Sequence, residues 1–279
     1  MAVTNPGKAR RMQRVIDPSG HTVILPLDIV MPVGPFEGAQ DTGALVDMAG
    51  AVGVDAVILR WGEAKRFVDR LSRSVGLIVR VSGSTGLYDT DRPPVVLNTV
   101  LASASIGADA VCVDVELGGG RENESLAALA RVCEEAEALG IVVLVEVHVP
   151  PTPASGGTSQ TDAFAWATRA AREAGADLVK VGYLGSAEAM ATICELAGIP
   201  VVIAGGAPRD PREALQAADD ALHGGAAGTA FARNVIGHPS PVAMQRAIID
   251  LVRGRDTLGD VLARLGAATP AIQDGEALR

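Results

Sequence analysis

The chain has 279 residues, of which 48% are hydrophobic and only 3% aromatic, and its formal net charge is −9. This acidic balance argues against nucleic acid as a partner, because neutralising phosphates requires a basic face. No apolar run reaches the roughly 18 residues of a membrane span, and the first residues lack the apolar core of a secretory signal. Three cysteines (Cys112, Cys133 and Cys194) show neither metal spacing nor an even count, so we expect a protein of the reducing cytoplasm.

Four basic residues lie close together near the start of the chain: Lys8, Arg10, Arg11 and Arg14. They could form a targeting or anion-binding patch, but a solvated first helix is the simpler interpretation. We therefore predict a short helical extension over about residues 1–20.

Eight short runs rich in Val, Ile, Leu or Ala follow, as expected for parallel strands that are buried on both faces. They are Val23 to Asp28, Asp55 to Trp61, Leu77 to Ser82, Asp109 to Leu117, Ile141 to Val149, Asp177 to Tyr183, Pro200 to Gly205 and Ala226 to Ala232. Several begin with a Gly-x-Asp turn, in which glycine suits the end of a preceding helix. Intervening stretches such as Glu122 to Leu139 carry helical periodicity.

Strand–helix alternation repeated about eight times predicts a (β/α)₈ TIM barrel. We expect one domain over residues 1–279, with a C-terminal helical tail over about 255–279. The rival open doubly wound sheet usually shows G-x-G-x-x-G after its first strand, whereas here Asp28-Ile29-Val30-Met31-Pro32 follows. The stretch from Pro150 to Thr161 predicts a long loop rather than a domain boundary.

Polar residues in the central strands fall on even positions, and side chains alternate between the two faces of a strand. Asp28 and Arg60 end the first two strands, although Trp61 leaves the direction of Arg60 open. The even-numbered polar residues are Arg80, Ser82, Asp114, Glu116, Glu146, His148 and Lys180, whereas their odd neighbours are mostly valines. We predict that the even side chains point into the barrel near the C-terminal strand ends, where barrel active sites form. The alternative is a purely structural ion-pair network.

Lys180 lies inside an otherwise apolar run, Asp177 to Tyr183. A buried ammonium must be paired with an acid or be partly deprotonated. A lysine whose pKa is lowered becomes an amine nucleophile that forms a Schiff base with a carbonyl. From this run alone, chemistry and a structural ion pair both remain open.

Glycine pairs follow the last two predicted strands, where barrels commonly bind phosphate. Backbone N–H groups beside Gly205 and Gly206 can approach a phosphate closely, and Arg233 follows the eighth strand. The segment Ser82-Gly83-Ser84-Thr85 is a second cluster of small donors. These segments predict a substrate that carries phosphate.

The chain resembles the DhnA-type class I aldolases, the group of archaeal-type fructose-bisphosphate aldolases and 2-amino-3,7-dideoxy-heptulosonate synthases. The resemblance extends from Gly7 to about Val252. It is carried by Ile24-Leu25-Pro26-Leu27-Asp28, Val81-Ser82-Gly83-Ser84-Thr85, Ala176-Asp177-Leu178-Val179-Lys180, Val201-Val202-Ile203-Ala204-Gly205-Gly206 and Arg233-Asn234-Val235. It implies a Schiff base on Lys180, an acid at Asp28 that assists proton transfer, phosphate contacts from Gly205, Gly206 and Arg233, and a homo-oligomer.

Three positions depart from the family pattern. Ile29-Val30 stands where the family usually has His-Gly, and Ala232 replaces a glycine. The proton-donating tyrosine that commonly precedes a proline after the fifth strand is absent, since the matching place reads Val147-His148-Val149-Pro150. We expect His148 to replace this tyrosine.

We therefore predict a class I aldolase, without cofactor or metal, that makes or breaks a C–C bond of a small, phosphorylated ketone or aldehyde. Lys180 would form the imine, and Asp28, Glu146 and His148 would move protons. The expected substrate- or phosphate-binding residues are Gly205, Gly206, Arg233, Ser82, Arg80, Glu116 and Asp114. Two alternatives stay open. One is a phosphate-binding isomerase or lyase without an imine, whose carboxylates could hold Mg²⁺. The other is a non-catalytic ligand-binding relative.

Overall fold

The computed structural model describes residues 5–84, 95–120, 122–151 and 157–268, and eight parallel strands in it close a barrel. Around the ring the order is β1 (Thr22–Pro26), β10 (Gly228–Ala230), β9 (Val201–Ala204), β8 (Leu178–Gly182), β7 (Val142–His148), β6 (Ala110–Glu116), β3 (Gly76–Arg80) and β2 (Ala56–Arg60). A small antiparallel ribbon of β4 (Ser82–Gly83) and β5 (Val95–Val96) follows β3. The predicted single-domain (β/α)₈ barrel is confirmed.

Helices alternate with the barrel strands along the chain. They are α1 (Pro6–Val15), α2 (Val30–Val33), α3 (Thr42–Val52), α4 (Trp61–Phe67), α5 (Val100–Ala104), α6 (Glu122–Leu139), α7 (Gln160–Glu173), α8 (Ala187–Ala197), α9 (Pro211–His223), α10 (Arg233–Ile236), α11 (Pro241–Val252) and α12 (Leu258–Ala268). None of these helices is long and apolar enough to cross a membrane. Helix α12 forms part of the predicted C-terminal tail, while residues 269–279, residues 152–156 of the predicted long loop, and Thr85 lie outside the described residues.

Two apolar layers follow the parity of the strand residues. Even-numbered side chains such as Ile58, Cys112 and Leu144 form one buried cluster that fills the lumen. Odd-numbered neighbours such as Val113 and Val145 belong to the larger cluster packed against the helices. Because the pleat alternates, the polar even-numbered residues further along the strands face the same lumen, as predicted.

Helix α1 closes the N-terminal end of the barrel. Val15 is fully buried in the lumen cluster, and its carbonyl accepts a 2.5 Å hydrogen bond from Thr22 Oγ1 at the start of β1. Met12 and Ile16 pack against the same cluster. The expectation of a solvated first helix is therefore wrong for its inner face, where burial of apolar side chains stabilises the helix against the barrel, whereas Arg10 and Arg14 are exposed.

The basic residues of α1 pair with acids near the strand starts. Lys8 is only 5% exposed, and its Nζ lies 2.9 Å from Asp177 Oδ2 and 2.9 Å from Glu137 Oε2. Arg14 Nε lies 2.8 Å from Asp109 Oδ1. Asp109 and Asp177 end predicted Gly-x-Asp turns, and each also accepts a backbone N–H from the neighbouring strand. The acids of these turns thus join helix, turn and barrel.

Removing the Lys8 ammonium should destabilise this end of the barrel. We expect Lys8→Ala to lower the free energy of unfolding by about 3 kcal/mol, because it leaves Asp177 without its ion-pair partner. Denaturant titration followed by circular dichroism measures the change. Arg10, an exposed cation on the same helix, is the matched control, and Arg10→Ala should stay within about 0.5 kcal/mol of the parent. Equal effects of the two substitutions would contradict the role of the Lys8 pair.

Candidate active site

A cavity of about 440 Å³ opens at the C-terminal ends of the barrel strands. The ends of the strands and the loops and helix start that follow them supply its polar groups, as is usual for barrel enzymes. Apolar side chains from α2 and α7 line one part of it, among them Pro32, Val33 and Phe164. The predicted site residues that line the cavity are Asp28, Arg80, Asp114, Glu146, His148, Lys180, Gly205, Gly206 and Arg233.

Arg80, at the end of β3, joins three carboxylates. It donates from Nε to Asp28 Oδ2 at 2.5 Å, from Nη1 to Asp114 Oδ1 at 2.6 Å and from Nη2 to Glu146 Oε2 at 2.5 Å. Its side chain is 5% exposed. A planar guanidinium suits this geometry because its donors point in fixed directions. The side chain therefore sets the spacing of the three acids.

Lys180 lies beside Glu146 because their strands are in register. β7 and β8 pair Glu146 with Lys180 directly, and Lys180 Nζ lies 2.8 Å from Glu146 Oε1. Glu146 thus holds Lys180 with one oxygen and Arg80 with the other. The buried ammonium has the acidic partner that the sequence required, and it still borders the cavity.

Asp114 is held from three directions. Besides Arg80, Ser82 Oγ donates to its Oδ2 at 2.6 Å, and His148 Nε2 lies 3.2 Å from its Oδ1. The Asp114 backbone N–H donates back to Ser82 Oγ at 2.8 Å. The His148 side chain is half exposed, so it stands at the mouth of the cavity with one edge fixed and the other open.

The charges in this cluster shift one another's pKa values. Burial alone would raise the pKa of the Asp114 carboxyl, but Arg80 and His148 hold it well below its usual range. Burial likewise opposes ionisation of Glu146, yet Lys180 and Arg80 keep the pKa of its carboxyl below the usual range. Desolvation works against a charged His148, but the Asp114 hydrogen bond and Glu146 raise the pKa of the imidazole. Both carboxylates are therefore poor proton acceptors in the resting site.

The loop after β9 forms another part of the cavity wall. Gly205 and Gly206 line it together with Arg233 at the start of α10. A Cβ on Gly205 would lie 2.8 Å from Asn234 Nδ2, so the close approach of this loop to α10 requires glycine. Asn234 Nδ2 donates to the Gly205 carbonyl at 2.8 Å, and its Oδ1 accepts from the Arg209 N–H at 2.9 Å.

Two predicted site residues do not border the cavity. Ser82 is buried and acts on Asp114 instead. The Glu116 carboxylate lies against Gly119 in the loop after β6. The sequence did not reveal Asn234, whose side chain links α10 to the loop after β9. It also left the direction of the Arg60 side chain open, and Arg60 lines the cavity. Its even number was the available signal.

Asp114, Glu146 and His148 could also be ligands of a metal ion. Each offers a ligand atom, and these atoms lie within 4.8 Å of one another. However, Arg80 donates to both carboxylates and Lys180 to Glu146. A divalent cation would have to displace these side-chain cations, so the arrangement is complete without a metal.

Comparisons with known proteins point in one direction. Residues 22–238 match the DeoC/LacD family aldolases. The 2-amino-3,7-dideoxy-D-threo-hept-6-ulosonate synthase of Halobacterium salinarum is 34% identical over 96% of this chain and 100% of that protein. The 2-amino-4,5-dihydroxy-6-oxo-7-(phosphonooxy)heptanoate synthase of Streptomyces griseus is 35% identical over 95% and 97%. A solved archaeal fructose-1,6-bisphosphate aldolase with its catalytic Lys bound to a carbinolamine intermediate is 27% identical, with a TM-score of 0.79 over 88% of this chain and 99% of that one.

The Asp114–His148 contact should be visible in solution. We expect an NMR titration to give the His148 imidazole a pKa above the ordinary value of about 6.5, and Asp114→Asn to lower it, because the substitution removes the carboxylate. An unchanged His148 titration in the variant would refute the contact.

The same contact makes stability depend on pH with a defined sign. A group whose pKa is raised by folding contributes stability that is present below about 6.5 and is lost as pH rises through the folded value. The stability difference between the parent and His148→Gln should therefore shrink from pH 6 to pH 9 in denaturant titrations. A difference that grows over this range would contradict the assignment.

Proposed function

Because the chain belongs to the DeoC/LacD family aldolases, within the class I group that works through a Schiff base, we propose that Lys180 is its imine-forming residue. The family, the fold and the class I aldolase activity predicted from the sequence are thereby confirmed. One observation carries the role of Lys180. The chain has three lysines. Lys8 pairs with acids at the far end of the barrel, and Lys65 is exposed on α4 beside Trp61. Lys180 is therefore the one lysine of the three that borders the cavity.

In the proposed reaction the Lys180 amine adds to a ketone, and loss of water gives an iminium. A base removes the proton of the hydroxyl on the carbon β to the iminium, the C–C bond breaks, and an aldehyde leaves. The electron pair passes to the iminium and forms an enamine. Protonation and hydrolysis then release the second product and restore the amine. Synthesis is the reverse sequence.

The proton transfers are proposed for three residues around Lys180. Glu146 is 2.8 Å from the ammonium and would accept its proton when substrate binds. Asp28 borders the cavity on the other side of Arg80 and would assist at the carbinolamine. His148 stands at the open mouth and would exchange a proton with the reacting hydroxyl. Each such group typically contributes about 10²–10⁴-fold to the rate.

A second candidate rests on the same contact. Lys180 is paired with the Glu146 carboxylate, and a lysine that acts as an ammonium would suit an isomerase or lyase that stabilises negative charge without an imine. Trapping with borohydride separates the two, because only an iminium is reduced to a stable amine.

We further propose that the substrate carries a phosphate held by the Gly205–Gly206 loop and Arg233. Backbone N–H groups next to glycine and a guanidinium are suitable phosphate donors. These groups follow β9 and β10, the strands next along the ring from Lys180 on β8. The phosphate would therefore sit close to the reacting carbonyl. Relatives named for a 7-(phosphonooxy)heptanoate and for fructose bisphosphate support a substrate of this class.

A cytoplasmic homo-oligomer is also part of the proposal. Cys112, Cys133 and Cys194 are free thiols, as expected in a reducing compartment. Exposed apolar side chains on and after the β4–β5 ribbon, including Val95, Val96 and Leu101, offer area for subunit contacts.

Borohydride reduction in the presence of phosphorylated ketones tests the imine. We expect the parent protein to gain the substrate mass minus one oxygen on the Lys180 peptide, and Lys180→Met to gain nothing and to lose about 10⁴-fold or more in kcat. Lys65→Met is the matched control and should form the adduct at the parent rate. Turnover by the parent without any adduct would refute the imine and support the ammonium role.

The phosphate proposal predicts a selective loss of binding. Arg233→Gln should raise KM for a phosphorylated ketone by at least about 10-fold, the usual worth of a hydrogen bond to a charged group. The unphosphorylated ketone should be affected much less. Exposed Arg212 on α9 provides the control substitution to Gln. A rise in KM that is the same for both ketones would contradict a phosphate contact.

A further inference from the structure

Arg60 is a cation that lines the cavity but has no role in the proposed imine chemistry. It ends β2 beside Arg80 in register. Arg80 pairs with three carboxylates, whereas no carboxylate among the described residues lies within ion-pair distance of Arg60. Its one hydrogen bond within this part of the chain runs from Nη1 to the Ser82 carbonyl at 2.5 Å. The Arg60 Nε–H is buried without an acceptor there.

An arginine carries five N–H donors, and leaving a charged group buried and unpaired costs free energy. Two other arginines, at the opposite end of the barrel, have carboxylate partners. Arg14 pairs with Asp109, and Arg253 pairs with both Asp17 and Asp55. Burial lowers the pKa of Arg60, and the charges of Asp28 and Asp114 only partly oppose this shift, whereas the pKa of Arg80, which contacts its carboxylates directly, is raised. The resting protein thus leaves this guanidinium short of negative charge.

The backbone around Arg60 is shaped to accept it. A Cβ on Gly83 would lie 2.6 Å from Arg60 Nη1, closer than real contacts allow. Glycine at this position of the β4–β5 ribbon leaves the space that the guanidinium occupies. Ser84, the next residue, borders the cavity as well. Its neighbours therefore fix the position of the Arg60 guanidinium at the cavity, and the side chain is not free on the surface.

The ring order determines which part of a substrate can reach Arg60. Strand β2 is directly opposite β8, which carries Lys180, and three strands from β9, which carries Gly205 and Gly206. A ketone on Lys180 with its phosphate at β9 and β10 would extend its remaining carbons across the mouth. The end of the substrate remote from its phosphate would then lie beside β2.

We propose that Arg60 binds a second anionic group, a carboxylate or a phosphate, at the end of the substrate remote from the Gly205–Gly206–Arg233 site. The inference rests on the proposed function for the orientation of the substrate. It makes Arg60 a specificity-determining residue that selects substrates with an anion at each end.

Equilibrium binding tests this without any catalytic step. Isothermal titration calorimetry would compare α,ω-alkanediol bisphosphates and ω-phosphonooxy carboxylates of four to seven carbons with ω-hydroxyalkyl monophosphates of equal length. We expect the best two-anion ligand to bind the parent at least about 10-fold more tightly than its monophosphate, as for a charge-assisted, partly desolvated contact. The better of the two series identifies the second group as phosphate or carboxylate.

Arg60→Gln should reduce this advantage to about 1, and Gly83→Ala should reduce it while keeping the arginine, because the new Cβ displaces the guanidinium. Exposed Arg66 on α4 is the control, and Arg66→Gln should keep the parent ratio. No advantage in the parent, or an advantage that survives Arg60→Gln, would overturn the inference. Borohydride trapping tests Lys180 separately. If the affinity ratio falls in Arg60→Gln but the parent forms no borohydride adduct, the imine is contradicted and the Arg60 site is not.

Discussion

The guanidinium of Arg80, held between Asp28, Asp114 and Glu146, is the interaction on which the site depends. Three buried carboxylates this close together would repel one another and would be costly to ionise. Arg80 makes the ionised forms of Asp114 and Glu146 stable and fixes where the oxygens of all three acids lie, with donor distances of 2.5–2.6 Å. Every proposed catalytic group then follows from it. Glu146 keeps one oxygen for Lys180, Asp114 keeps Oδ1 within reach of His148, and Asp28 stays at the cavity wall. Breaking such a buried pair costs about 3–5 kcal/mol, so geometry and stability are linked here.

Charge pairing also organises the opposite end of the barrel, where it serves the fold alone. Asp55, Asp109 and Asp177 at the strand starts each accept a backbone N–H from the neighbouring strand. Each also pairs with a cation from a terminal helix or its end, namely Arg253, Arg14 and Lys8. All three acids are satisfied by the protein itself. At the cavity end, by contrast, Arg60 has no carboxylate partner among the described residues, and its Nε–H is buried without an acceptor there.

Much of the site could be predicted because a parallel barrel strand has a strict period of two. Once Lys180 and the valines around it were recognised, parity assigned Arg80, Asp114 and Glu146 to the lumen without further information. Parity fails where the strand ends. Glu116 has the right number and forms the last ladder pair of β6 with β7, but its carboxylate lies against Gly119 in the loop that follows. The first helix is hard to predict for another reason. The acidic partners of Lys8 and Arg14 lie more than 90 residues away in sequence, and no local pattern reveals them.

The ion pair between Lys180 and Glu146 contradicts, at first sight, a nucleophilic lysine, because an amine must be uncharged to attack a carbonyl. The contradiction weakens when both oxygens of Glu146 are considered. The carboxylate is shared with Arg80, so its charge is divided between two cations, and a substrate carbonyl entering beside Nζ would desolvate the ammonium further. Proton transfer to Glu146 would leave Arg80 hydrogen-bonded to Asp28 and Asp114. A proton leaving Lys180 would therefore have an acceptor only 2.8 Å away. A histidine at the mouth in place of the family tyrosine fits the same arrangement, because Asp114 contacts one edge of its ring while the side chain stays half exposed.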